Sequence, residues 1–226
     1  MSLSKRVAPL LLADQVYATL QEAILNGELP PGSRLTVREL AEQVGTSPMP
    51  VREAIRRLEE AGLVHREPHR GAVVRGLTLE ELVHVYDIRR LLEVEAARLG
   101  SERISAEDCE RMQAEYSLMR AAIRDGRVVP YLDHDEALLS ILYNAAGNPL
   151  LVQMIRSLWQ QCRAYKIVGA KGSLDSPEDV SLWRYQQDLI AAARESDSAG
   201  AAAVNEASLL DATDRIKARL DAQGER

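Results

Sequence analysis

The chain has 226 residues, a formal net charge of −6, no Phe and only 4% aromatics. Hydrophobic residues at 46% and charged residues at 27% exclude wholesale disorder, and no apolar run approaches the roughly 18 residues of a membrane-spanning helix. Cys109 and Cys162 are too few for a disulfide scaffold or a Cys-based zinc site. The start, MSLSKRVAPLLLADQ, lacks a small-residue cleavage site and reads poorly as a signal peptide, so a cytoplasmic, one- or two-domain protein is expected.

Charge is unevenly spread. Residues 1–77 hold ten Lys/Arg against nine Asp/Glu, whereas the remainder holds eighteen against twenty-five. Proline and glycine also cluster early, at Pro30-Pro31-Gly32, Pro48, Pro50, Pro68 and Gly71. These shifts divide the chain into a flexible tail (1–10), a near-neutral N-terminal domain (11–77) and an acidic C-terminal domain (78–226).

In chain order, Leu12, Val16, Leu20 and Ile24 mark a helix over about 11–26, stopped by Gly27. Leu35 reads as extended. Thr36 through Glu39 reads as a capping box opening a short helix over about 37–44. Gly45 ends it, and Ser47 caps a second helix with Pro48 at its first position, running to Ala61. Two short helices joined by a Gly-containing turn form a helix-turn-helix signature. In the second helix Val51, Ile55 and Leu58 make one apolar stripe, with Arg52, Arg56 and Glu59 on a neighbouring face. Such a helix fits the major groove, and its first-turn side chains reach base edges. Arg52 is the best candidate for a guanine or phosphate contact. The alternative is a surface ion pair with Glu53 or Glu59. Residues 63–67 and 72–75 read as strands around a Pro68–Gly71 turn, a wing whose tip residues His69 and Arg70 either enter the minor groove or form an ordinary polar turn.

The run LTVRELAEQVGTSPMPVREAIRRLEEAGLVHREPHRGAVV resembles the winged-helix domain of GntR-type bacterial transcription regulators across residues 11–77. The resemblance implies DNA contacts at Arg38, Ser47, Arg52, His69, Arg70 and Gly71. Many family members carry Arg after the capping Ser. Here Pro48 stands there, followed by Met49, and proline cannot make a bidentate guanine contact, so the operator sequence does not transfer from Arg-bearing relatives.

The C-terminal domain reads as six helices with short links, an antiparallel all-α bundle. Thr78 through Glu81 is a second capping box, opening a helix to about Leu99 with Leu79, Leu82, Val83, Tyr86, Leu91 and Val94 inward. Helices follow over about 105–125, 129–146, 149–168, 177–195 and 198–221, with 169–176 as loop. Asp87 through Glu93 and Ala146 through Leu150 resemble the FCD effector domain of the FadR-type GntR subfamily. That resemblance implies a homodimer whose bundle binds a small organic acid, a carboxylic or sugar acid, and thereby changes affinity for a double-stranded DNA operator.

Many relatives hold a divalent metal there with one Asp and three His. By local alignment those positions are Asp135, Leu139, Gln186 and Ser208. His134 lies about 140° around the helix from Leu139 and cannot fill the same corner. His84 is the only other histidine of this domain. One carboxylate, one Leu, one Gln and one Ser do not suit a transition metal, so no family-type metal or other cofactor is expected. Arg89 is placed to hold a ligand carboxylate, or instead to pair with Glu93 at i, i+4. Asp135 needs a partner, either Arg89 or a cationic ligand. Gln186 and Ser208 offer neutral hydrogen bonds, while Trp159 and Trp183 read as core.

The fold expected is therefore a winged helix-turn-helix followed by an all-α bundle. The function is a ligand-responsive, dimeric DNA-binding regulator, in the usual mode of the family a repressor. The alternatives are a regulator with a decayed pocket, or an all-α enzyme with an accessory winged helix. No GxSxG, HExxH or P-loop motif supports an enzyme.

Overall fold

A computed structural model describes residues 8–174 and 183–224. The chain forms two compact units, residues 1–76 and 77–226.

In the first unit α1 (Ala8–Leu25), β1 (Arg34–Leu35), α2 (Val37–Gln43), α3 (Pro48–Glu60), β2 (Val64–Glu67) and β3 (Gly71–Val74) follow in order. The helix α1 starts at Ala8, inside the stretch expected as tail, with Pro9 in its first turn, where a missing N–H is tolerated. The strands form one antiparallel sheet in the order β1-β3-β2, with Leu35 opposite Ala72 and Val64 opposite Val74. Val51, Ala54, Ile55 and Leu58 of α3 are buried against α1, α2 and the sheet, so the apolar stripe reads true. The capping box expected at Thr36 does not form. Its side chain makes no cap bond, and α2 is fixed instead by burial of Leu40 and Ala41.

The second unit contains α4 (Leu79–Ser101), α5 (Ala106–Arg124), α6 (Val128–Ala145), α7 (Pro149–Leu174), α8 (Arg184–Arg194) and α9 (Ser198–Gly224). The capping box that opens α4 is complete, with Glu81 N–H donating to Thr78 Oγ1 at 3.1 Å and Thr78 N–H donating to Glu81 Oε2 at 2.9 Å. The helix α7 continues to Leu174, into the stretch expected as loop from Gly169, because Ile167 and Ala170 continue its buried stripe; residues 175 and 176 of that stretch lie outside the described residues. The start expected for the next helix, at Pro177, lies outside the described residues. Among the described residues no helix is long and apolar enough to cross a membrane.

The central helix is α4, packed on α6, α7, α8 and α9. Its buried face is only in part the apolar one expected: Leu82 and Tyr86 face inward, and the rest differs. Leu91 is 63% exposed, and Val83 and Val94 are only half-buried. The stripe that faces inward is Leu82, Tyr86, Arg89, Glu93, Ala96 and Gly100, which places an arginine and a glutamate in the core. At its far end Gly100 lies against the backbone of α6. A Cβ there would sit 2.1 Å from the Leu142 carbonyl oxygen and 3.0 Å from its carbon. Backbone cannot swing aside as a side chain can, so the crossing requires glycine.

Gly100→Ala is therefore expected to destabilise the bundle by about 1–3 kcal/mol, the usual range for overpacking. Thermal unfolding followed by circular dichroism should show a midpoint several degrees lower, and an unchanged midpoint would contradict the crossing geometry.

Candidate functional site

Each unit presents one site. In the first, the N-terminal turn of α3 is exposed. Pro48 holds the first helical position, Met49 is 74% exposed, and the exposed Ser47 makes no side-chain cap bond. The three arginines of α3 differ sharply. Arg56 is held by Glu53 and Glu60, and Arg57 by Asp14 while it covers the Tyr17 ring. Glu59, the other expected partner of Arg52, is taken by Arg66 at 3.2 Å. Arg52 is exposed and pairs with no carboxylate among the described residues. Of the two alternatives read for it, the surface ion pair does not form.

On α2, Arg38 is 89% exposed and 3.5 Å from Glu42, a loose pair that solvent largely screens. The wing tip is a tight reversal in which His69 (φ 62°) and Gly71 (φ 77°) both take left-handed backbone. Residue 71 is glycine because a side chain would be strained there. His69 projects freely, while Arg70 is tethered to Glu67 at 2.8 Å. Glu67 in turn accepts from His65, and burial, which would raise its pKa, is outweighed by Arg70 and His65, which lower it.

The second site is a cavity of about 620 Å³ inside the bundle. Arg89, Asp135, Gln186 and Ser208 all line it, so residues up to 119 positions apart in sequence meet there. Their partners differ from those expected. Arg89 Nε donates to Glu93 Oε1 at 2.6 Å, and the guanidinium lies over the Tyr86 ring at 4.4 Å. Thus Arg89 both lines the cavity and makes the intrahelical pair. Burial disfavours its charge, but Glu93 outweighs burial and holds its pKa well above the ordinary value. Asp135 does not pair with Arg89. Its Oδ2 lies 3.3 Å from Lys166 Nζ, and its Oδ1 accepts from Gln186 Nε2 at 2.7 Å. Lys166 is half-buried; enclosure disfavours its charge, yet Asp135 and Glu136 outweigh that and raise its pKa above the ordinary lysine value, so it is a cation. Ser208 is half-buried on the α9 wall, and Leu139 lines the cavity from α6.

Glu93 is the hub that the sequence reading treated only as a neighbour of Arg89. Its Oε1 also accepts from Trp159 Nε1 at 2.9 Å, and its Oε2 accepts from the Tyr143 hydroxyl at 3.2 Å. Asn205 Nδ2 then donates to that hydroxyl at 2.5 Å. Three helices meet at this carboxylate, and a fourth, α9, joins through the Tyr143 hydroxyl. Lys166 and Asn205 were also missed, although each left a signal. Both are polar residues falling on apolar stripes, Lys166 between Cys162 and Ala170 and Asn205 between Ala201 and Leu209. Of the tryptophans, Trp159 is core as expected, while Trp183 is half-buried under Arg120. Burial pushes the pKa of both Cys109 and Cys162 up, so neither is an activated thiolate.

Comparison with known proteins places this architecture. Residues 12–74 match the model for bacterial regulatory proteins of the gntR family, and residues 84–211 match the FCD domain. The chain is 30% identical over 145 residues to the HTH-type transcriptional regulator McbR of Escherichia coli, a span covering 64% of this chain and 66% of that protein. It is 35% identical over 123 residues to a probable D-xylose utilization operon transcriptional repressor of Paenarthrobacter nicotinovorans, covering 54% of each. The matched spans thus cover about half to two-thirds of these curated relatives. Among solved structures, E. coli McbR/YncC shares the fold with a TM-score of 0.77 at 24% identity, covering 92% of this chain and 98% of that one. A putative GntR regulator from Rhodococcus has the same TM-score at 23% identity, covering 91% and 97%. The named relatives are transcriptional regulators, not enzymes, and the chain belongs to the FCD-domain family, with a gntR-type regulatory domain matched over residues 12–74.

Proposed function

We propose that this chain is a ligand-responsive transcriptional regulator that binds a pseudo-palindromic DNA operator as a homodimer, with a small organic acid as effector. The observation that carries the DNA reading is the pairing pattern on α3. Arg56 and Arg57 are neutralised, while Arg52, in the first turns, keeps an uncommitted guanidinium beside the exposed Ser47 and Met49. An exposed arginine near a helix N-terminus is positioned for a phosphate or a guanine edge. Arg38, His69, Arg70 and Gly71 complete the contact set. Repression is the mode named for the Paenarthrobacter relative, and we extend it to this chain.

The effector reading rests on the bundle cavity, whose walls carry the cations Arg89 and Lys166. We further propose that the cavity works without a metal. The family's metal positions supply a carboxylate, an aliphatic side chain, an amide and a hydroxyl, at Asp135, Leu139, Gln186 and Ser208. The carboxylate is engaged by the Lys166 ammonium at 3.3 Å, which would repel a divalent cation.

Three outcomes are expected. Selection from a random duplex library at low salt should enrich an inverted repeat, with binding that weakens steeply as salt rises; no enriched repeat would contradict the regulator reading. On the selected site, Arg52→Ala should lower affinity by about ten- to a hundredfold, the range for losing a bidentate base contact. Elemental analysis of tag-free protein should find transition metal far below one ion per chain, and near-stoichiometric zinc or nickel would overturn the metal-free cavity.

A further inference from the structure

Two side-chain oxygens of cavity-lining residues, Gln186 Oε1 and Asn205 Oδ1, are buried and have no hydrogen-bond partner among the described residues. Carboxylates fix the orientation of both amides. Gln186 faces Asp135 Oδ1 at 2.7 Å, and a carboxylate can only accept, so the Gln186 NH2 group must point there and its oxygen must point away. Asn205 is fixed at one remove. Glu93 Oε2 accepts the only proton of the Tyr143 hydroxyl, so that hydroxyl must accept from Asn205 Nδ2. The Asn205 oxygen is thereby left over. Two acceptors of fixed polarity remain unmet, one on α8 and one on α9, and an unmet buried acceptor is costly.

From this we infer that the cavity is built for a polyhydroxylated small molecule, whose hydroxyls donate to Gln186 Oε1 and Asn205 Oδ1. The inference rests on the effector reading above and names the chemistry at one end of the ligand. Neither oxygen is open to the cavity as the side chains stand, so each amide turns about its soft terminal torsion to present its oxygen to the ligand. A carboxylate cannot satisfy either oxygen, because it has no proton to give. An ammonium could donate, but Lys166 shares Asp135 with Gln186 and repels a second cation there. Neutral hydroxyls remain. Tyr86, Tyr131, Tyr165 and Tyr185 also line the cavity, and their rings suit the C–H faces of a sugar-like chain.

The test is isothermal titration of the full-length protein with three matched series. Four- to six-carbon aldonates such as xylonate and gluconate carry hydroxyls and a carboxylate, xylitol and sorbitol carry hydroxyls alone, and pentanoate and hexanoate carry a carboxylate alone. Aldonates should bind at least about tenfold more tightly than the hydroxyl-free acids, the scale on which a site with unmet polar groups discriminates. Gln186→Met and Asn205→Leu should each lower aldonate affinity by about tenfold or more, with little change toward hexanoate. If Asn205→Leu fails to fold, Gln186→Met carries the comparison. Binding of the polyols as tightly as the aldonates would support the hydroxyl inference while removing the acid from the effector reading. Equal binding of aldonates and hydroxyl-free acids would overturn the inference and leave the acid effector standing. Binding of none would overturn both, and operator selection would still decide the DNA reading independently.

Discussion

The bundle depends on a single buried carboxylate. Glu93 is almost fully enclosed, and on its two oxygens converge Arg89 of its own helix, Trp159 of α7 and Tyr143 of α6, with Asn205 of α9 behind Tyr143. Removing two charges from water is expensive, so the arrangement survives only because Arg89 supplies the opposing charge and because both carboxylate oxygens are hydrogen-bonded. Having met those conditions, the network gives the core a fixed polarity. Carboxylate, hydroxyl and amide can join in one order only, and that order decides which atom of Asn205 is left for a ligand. Asp135 imposes the same logic on Gln186, with Lys166 as its balancing cation. The chemistry of the cavity wall follows from where the two carboxylates sit.

The helix-turn-helix unit is governed by charge pairing of another kind. Its acidic residues nearly equal its basic ones, and most are spent on neighbouring arginines. Exposed pairs of this sort contribute little to stability. Their consequence is selective, because pairing silences Arg56 and Arg57 and leaves Arg52, among the described residues, without a carboxylate partner. A chain with an overall charge of −6 can thus offer a localised positive contact in a near-neutral unit, while the acidity resides in the bundle.

Much of this was legible in the sequence for physical reasons. Glycines at helix ends, a proline in the first turn and the stripe of Val51, Ile55 and Leu58 report local geometry directly, and α3 and the wing emerge where expected, although the side-chain caps read at Thr36 and Ser47 do not form. The helices of the bundle were legible too, but the inward face of α4 was not. A periodicity argument assigns charged residues to solvent, so it chose Leu91 over Arg89 and Glu93, and no local signal shows that their partners wait on other helices. The gathering of Arg89, Asp135, Gln186 and Ser208 around one cavity came from alignment by resemblance. Their pairings could not, since Lys166 lies 31 residues from Asp135 and on a different helix. The break read at Gly169 does not form, because a single glycine does not stop a helix that tertiary packing sustains, and α7 continues to Leu174.

The central claim is that Arg89 and Glu93 act as one unit on which the core and cavity are built. A double-mutant cycle of Arg89→Met and Glu93→Met, read by denaturant unfolding of the full chain, tests it most directly. Each single substitution strands a buried charge and should be severely destabilising, by about 3–5 kcal/mol. The double substitution strands none. It should therefore be more stable than the two losses combined, with a coupling of about 1–3 kcal/mol. Losses that add to within about 0.5 kcal/mol would show that the two residues are not coupled, and would contradict the account.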